Sequence, residues 1–210
     1  MNPKIKAVIF DMDGVLIDAR DWHYEALNKA LGLFGMAISR FDHLVTYDGL
    51  PTREKLKMLT MEKGFPEGLH GFINELKQQY TIEEVIMKCR PVFHHQYALA
   101  RLKNEGYRLV VCSNSIKDTI TTMLTRAGII EYFEFYLSNQ DVKKGKPDPE
   151  MYNTAIARLG LKPEECLVVE DNENGIKAAI ASGARLMKVH GVNDVHYQSV
   201  TSRIREIEQN

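Results

Sequence analysis

Asp11 and Asp13 stand one residue apart at the end of the apolar run Val8-Ile9-Phe10, and Gly14 follows them. On an extended chain, residues i and i+2 point to the same side, so this spacing brings two carboxylates into one small volume. Their repulsion has to be offset by a divalent cation or by a raised pKa that keeps one of them protonated, and both are properties of catalytic sites. A strand closing in an Asx-turn explains one aspartate there but not two.

Polar chemistry recurs after three later apolar runs. Residues 107–112 lead into Ser113, Asn114 and Ser115 and then a helical pattern, a set of hydroxyl, amide and backbone N–H donors suited to an anion. Ser and Asn are also common N-caps, so this segment alone decides nothing. After residues 135–137, Pro147 and Pro149 stiffen the chain around Lys146, whereas Lys143 and Lys144 read as a solvated loop face. Residues 167–169 end in Glu170, Asp171 and Asn172. Capping explains Asp171 or Asn172 but leaves Glu170 without a local role.

Together these ends supply carboxylates, a lysine, a hydroxyl and backbone donors. Carboxylates with water suit Mg²⁺, and the remaining donors suit phosphate oxygens. Phosphoryl transfer fits this set, because its transition state chiefly needs charge neutralisation and in-line positioning. One aspartate then attacks phosphorus. The other, kept protonated, gives its proton to the leaving oxygen and afterwards activates water against the aspartyl phosphate.

The elements that position these groups follow from periodicity. β-type runs at residues 5–10, 107–112, 135–137, 167–169 and 185–189 alternate with helical patterns at 117–127, 151–159 and 175–181. The predicted fold is α/β: an open parallel-sheet, Rossmann-like core with helices on both faces. In such a sheet ligands bind beyond the carboxyl ends of the strands, where the polar residues lie. Residues 19–90 break the rhythm with helical patterns at 22–33, 53–63 and 69–87. The expected organisation is therefore a core of residues 1–18 and 91–210 with an inserted all-α cap of residues 19–90.

Composition narrows the function classes. The chain of 210 residues is 44% apolar and 26% charged, with 27 basic and 28 acidic residues and a net charge of -1. No basic footprint for nucleic acid or an anionic membrane is expected from that balance. No apolar run approaches the roughly 18 residues that span a bilayer, and the N-terminal apolar stretch ends at Asp11, against a signal peptide. Cys89, Cys112 and Cys166 form no C-x-x-C pair and read as free thiols of a cytoplasmic protein. Oligomeric state is not indicated.

The motifs, in this order, resemble the haloacid dehalogenase superfamily of phosphohydrolases over nearly the whole chain. Asp11-Met12-Asp13-Gly14-Val15 resembles its first motif, Ser113-Asn114 its second, Lys146-Pro147 its third and Glu170-Asp171 its fourth. The resemblance implies that Asp11 is the nucleophile and Asp13 the general acid/base, with Ser113 and Lys146 on the phosphoryl group. It also implies Mg²⁺ on Asp11, Asp171 and the backbone carbonyl of Asp13, with Glu170 a further metal or outer-shell ligand. Asn114 joins the phosphate-binding candidates through its amide.

The insertion resembles the helical cap of the subfamily that contains β-phosphoglucomutase and phosphoglycolate phosphatase, and His23 and Ala26 follow its His-x-x-Ala pattern. Specificity is expected from cap residues such as Trp22, His23, Tyr47, Asp48 and Arg53. Arg53 is a candidate for an anionic substrate group, although the spacing from Gly49 to Arg53 departs by one residue from the mutase pattern. Lys55 and Lys57 read as solvated helix-face lysines. The expected function is a Mg²⁺-dependent phosphatase of a small phosphorylated metabolite, with sugar phosphates the favoured class. A phosphomutase is the enzymatic alternative. A phosphoacceptor signalling or phosphosugar-binding module is the alternative from another class, and Asp13 and the insertion speak against it.

Overall fold

The computed structural model describes residues 4–47 and 50–209. In chain order the elements are β1 (Ala7–Phe10), α1 (Arg20–Gly32), α2 (Arg40–Asp42), α3 (Thr52–Lys63), α4 (His70–Lys88), α5 (Phe93–Asn104), β2 (Arg108–Cys112), α6 (Lys117–Arg126), β3 (Phe135–Leu137), α7 (Glu150–Leu159), β4 (Cys166–Glu170), α8 (Glu173–Ser182), β5 (Arg185–Lys188) and α9 (Tyr197–Gln209). They divide into two units, Met1–Asp18 with Cys89–Asn210, and Ala19–Lys88.

The first unit is built on a five-stranded parallel sheet in the order β3-β2-β1-β4-β5. A strand covered on both faces needs an unbroken apolar run, and all four residues of β1 are buried. Parallel neighbours require crossovers. The helices α7 and α8 pack Met151, Ile156 and Ala179 against Ile9, Val110 and Val168. Burial of each such large aliphatic side chain contributes about 1.5–3 kcal/mol.

Register matters most for function. Phe10 stands opposite Val111 on one side and Val169 on the other, so β1, β2 and β4 finish almost level. The ladder extends through the Asp11 N–H to the Val169 carbonyl and through the Ser113 N–H to the Leu137 carbonyl, both 3.0 Å. Asp11, Ser113 and Glu170 thus leave one edge of the sheet together. Glu170 is the last residue of β4, paired with Lys188, and does not follow the strand as expected.

Two core helices outside the expected patterns, α5 and α9, hold polar residues at buried positions. His95 on α5 is buried with its Nε2 2.8 Å from the Val192 carbonyl. Thr201 on α9 is buried with its hydroxyl donating to the Tyr197 carbonyl at 2.8 Å. Satisfied polar groups of this kind sit in a core without large cost.

The cap unit packs α1, α3 and α4 around Leu27, Leu31, Leu56, Leu59 and Ile73. Asn28 ties the chain between α1 and α2, with its amide donating to and accepting from the backbone of Ile38 at 2.9 and 2.8 Å. Gly64 ends α3 in the left-handed region at φ 69°, the conformation a C-cap glycine supplies at least cost. Asp48 and Gly49 lie outside the described residues. No helix among the described residues is long and apolar enough to cross a membrane.

Candidate active site

The turn after β1 folds back on itself. The Leu16 and Ile17 N–H groups both donate to the Met12 carbonyl at 2.9 Å, and the Gly14 N–H donates to the Ile17 carbonyl at 2.7 Å. Gly14 has φ 86°, and a Cβ there would lie 2.1 Å from Asp171 Oδ2. Glycine is needed twice over, for the backbone conformation and for the close approach of Asp171. The first and fourth motifs therefore meet through the absence of a side chain.

Lys146 reaches the same place from the loop between β3 and α7. Asn114 clamps its backbone on both sides, accepting from the Lys146 N–H at 3.0 Å and donating to the Lys146 carbonyl at 3.1 Å. The Lys146-Pro147 peptide is cis. The ammonium donates to Asp11 Oδ1 at 2.7 Å, Glu170 Oε1 at 2.6 Å and the Cys112 carbonyl at 2.8 Å, which uses all three of its protons. Burial alone would lower the lysine's pKa, but Asp11 and Glu170 outweigh it and hold the group charged, above its ordinary range.

Asp13 occupies different surroundings. Its Oδ2 accepts from the Ser115 hydroxyl at 3.1 Å and the Ser113 hydroxyl at 3.3 Å, while the Ser115 N–H donates to Ser113 Oγ at 3.0 Å. The two expected catalytic carboxylates thus share one site but have separate partners, an ammonium for Asp11 and hydroxyls for Asp13. Burial first, and then Glu170 beside it, push Asp11 well above the usual carboxylate range, against the pull of Lys146.

Asp11, Glu170 and Asp171 each offer an oxygen within 4.8 Å of the others. Two of these carboxylates, Asp11 and Glu170, hold the Lys146 ammonium, and all three offer hard oxygens. That set fits a small divalent cation, whose charge would return Asp11 to its ionised form. The carboxylate of Asp13 is outside the three-residue cluster, as expected if only its backbone carbonyl faces the ion.

Several expectations need correction. The Asn114 side chain spends its oxygen and one of its two amide protons on the Lys146 backbone, so it acts first as a brace for that loop. Lys55 is buried in the cap, not solvated, whereas Lys57 is exposed and pairs with Glu54 at 2.9 Å. Tyr47 is 2% exposed in the cap core with its hydroxyl on Glu62 at 2.9 Å, so it packs the cap instead of presenting a specificity surface.

His23 lies 3.1 Å through Nδ1 from Lys77 Nζ, a partner on α4 that no local motif could reveal. Arg53 is exposed in the first turn of α3, and Trp22 is half-buried. Ser115 and Tyr152 are the further residues at the core site. Ser115 was in view within the Ser113-Asn114-Ser115 run. Tyr152, whose hydroxyl donates to Glu170 at 2.6 Å, sits in an apolar helical stripe where an aromatic residue reads as core.

Comparison with known proteins follows the same lines. A "Phosphorylated carbohydrates phosphatase" of Thermotoga maritima is 31% identical over 195 residues, covering 90% of this chain and 88% of that one. A "Beta-phosphoglucomutase" of Bacillus subtilis is 29% identical over 188 residues, covering 85% and 80%. The crystal structure of a beta-phosphoglucomutase from Clostridium difficile matches the fold with a TM-score of 0.81 at 23% identity, covering 98% of this chain and all of that one. The model of the haloacid dehalogenase-like hydrolases matches residues 8–189, across all four strand-end motifs, and the chain belongs to that family of enzymes.

Proposed function

We propose that this chain is a cytoplasmic Mg²⁺-dependent phosphatase of a small phosphorylated metabolite, a sugar phosphate in the first instance, working through an aspartyl phosphate on Asp11. The observation that carries the reading is the separation of roles between two neighbouring carboxylates. Lys146 holds Oδ1 of Asp11, so attack on phosphorus falls to the other oxygen of a carboxylate whose orientation is already set. The hydroxyls of Ser113 and Ser115 fix the plane of the Asp13 carboxyl beside it. From there Asp13 protonates the leaving oxygen, then takes a proton from the water that attacks the aspartyl phosphate.

Asp11, Asp171 and the backbone carbonyl of Asp13 would hold the cation, which when bound supplies charge neutralisation at the phosphoryl oxygens. In this reading the Ser113 hydroxyl turns its single proton from Asp13 to those oxygens, while Ser115 keeps its hydroxyl on Asp13. Lys146, with its protons committed to Asp11, Glu170 and Cys112, acts as the fixed positive charge behind the nucleophile. Three buried, unpaired cysteines suit a reducing compartment.

The test is phosphate release from a panel of sugar phosphates, phosphoglycolate and nucleotides, with Mg²⁺ and with chelator, using Asp11→Asn as the blank. Metal-dependent release from one member, absent in the blank, is expected. Conversion of a hexose phosphate to its isomer without release would make the chain a mutase, and silence on both counts would return it to a binding or signalling role.

A further inference from the structure

Tyr152 is the buried polar group at the site that the chemistry above does not use. Its side chain is fully buried on α7, its hydroxyl donates to Glu170 Oε1 at 2.6 Å, and its ring lies 4.9 Å from Lys146 Nζ. Lys146 donates to the same Glu170 oxygen at 2.6 Å. The other oxygen, Oε2, receives the backbone N–H groups of Asp171 at 3.1 Å and Asn172 at 3.4 Å, in the turn that opens α8. A carboxylate has about four acceptor sites. Those of Glu170 meet four donors, all of them from this chain.

Space points the same way. A Cβ at Gly175 would stand 1.8 Å from Glu170 Oε1, so the carboxylate lies directly against the backbone of α8 and cannot swing toward that helix. Glu170 is 1% exposed, whereas Asp171 is only partly buried. The three acidic oxygens are near enough to share an ion, yet at Glu170, whose two oxygens receive four donors, coordination would displace an internal donor.

We propose that Tyr152 is a positioning residue: by filling an acceptor site of Glu170 it keeps that carboxylate outside the cation's coordination shell, as the clamp that holds Lys146 against Asp11. The chain of contacts is then Tyr152 hydroxyl, Glu170, Lys146 ammonium, Asp11. The cation is left with Asp11 and Asp171 as its side-chain ligands and keeps its remaining positions for water and phosphate. This rests on the metal-dependent reading of the site and deepens it.

The test uses Mn²⁺ bound to the full chain, with the number of coordinated waters read from water-proton relaxation. Glu170→Gln is expected to bind Mn²⁺ with the same number of waters as the parent, whereas loss of a direct ligand at Asp171→Asn adds a water or abolishes binding. Tyr152→Phe keeps the ring and is expected to lower kcat on an aryl phosphate by about tenfold, the usual scale for an outer-shell partner, with KM and Mn²⁺ affinity nearly unchanged. A water gained in Glu170→Gln overturns the proposal alone. So does an unchanged kcat in Tyr152→Phe with only a lowered melting temperature, the mark of a purely structural tyrosine. Failure of every form to bind Mn²⁺ overturns the metal-dependent reading as well.

Discussion

Lys146 in the core and Lys77 in the cap are both deeply buried, 5% and 8% exposed, but their ammonium groups meet different company. Lys146 lies between two carboxylates and a carbonyl. Lys77 lies 3.1 Å from an imidazole nitrogen of His23, on another helix of the same unit. The core lysine is one charge of a fixed electrostatic cluster, and removing it strands two anions. The cap lysine has an imidazole nitrogen among its partners, a weaker acceptor than a carboxylate. Buried lysine is thus tied to paired carboxylates in one unit and to a histidine in the other.

The comparison can be broken first at the anion that Lys146 serves. Asp11→Asn should lower turnover by about 10⁴-fold or more, the scale on which removal of a nucleophile acts, and steady-state phosphate release checks it. Asp13→Asn should cost roughly 10²–10⁴-fold on alkyl phosphates, whose alkoxide needs a proton to leave, and much less on an activated aryl phosphate. Equal losses on both would remove Asp13 from the acid's role.

Stability separates the two lysines more directly. Lys146→Met leaves Asp11 and Glu170 facing each other in a dry site, and breaking a buried pair in this way costs about 3–5 kcal/mol. Lys77→Met should cost less, about 1–3 kcal/mol, the scale for leaving an acceptor such as the His23 nitrogen without its donor. Denaturant titration of both variants tests the contrast, which would collapse if the two losses were alike.

The smallest effect concerns pH. Burial holds His95 below the ordinary imidazole range, opposed by its bond to the Val192 carbonyl. The unfolded state therefore takes up this proton first as pH falls below about 6.5, and the stability that neutral His95 contributes is lost with further acidification. A melting temperature that falls between about pH 6.5 and pH 5 in the parent, less steeply in His95→Gln, is expected.

These contrasts also explain what could be read from the sequence. The core site was legible because Asp11, Ser113, Glu170 and Asp171 sit at or next to a buried strand's end, and parallel register then assembles Asp11, Ser113 and Glu170 without further information. Lys146 stood out through its flanking prolines. The clamp of Asn114 on Lys146 joins residues 32 positions apart, and the bond of Tyr152 to Glu170 gives an apparently apolar stripe a polar task; neither leaves a local trace. The contact of His23 with Lys77 spans 54 positions between two helices. Helices α5 and α9 escaped although Leu99 and Leu102, and Val200 and Ile204, keep helical spacing on buried faces.

The most direct test of the account is to mix the protein and Mg²⁺ with a radiolabelled phosphate ester, quench in acid within the first turnover, and locate the label by peptide mapping. The account predicts a hydroxylamine-sensitive phosphoryl group on the peptide that carries Asp11, absent in Asp11→Asn. Turnover with no covalent label on that peptide would contradict it, because Asp11 would then be assisting water instead of attacking phosphorus.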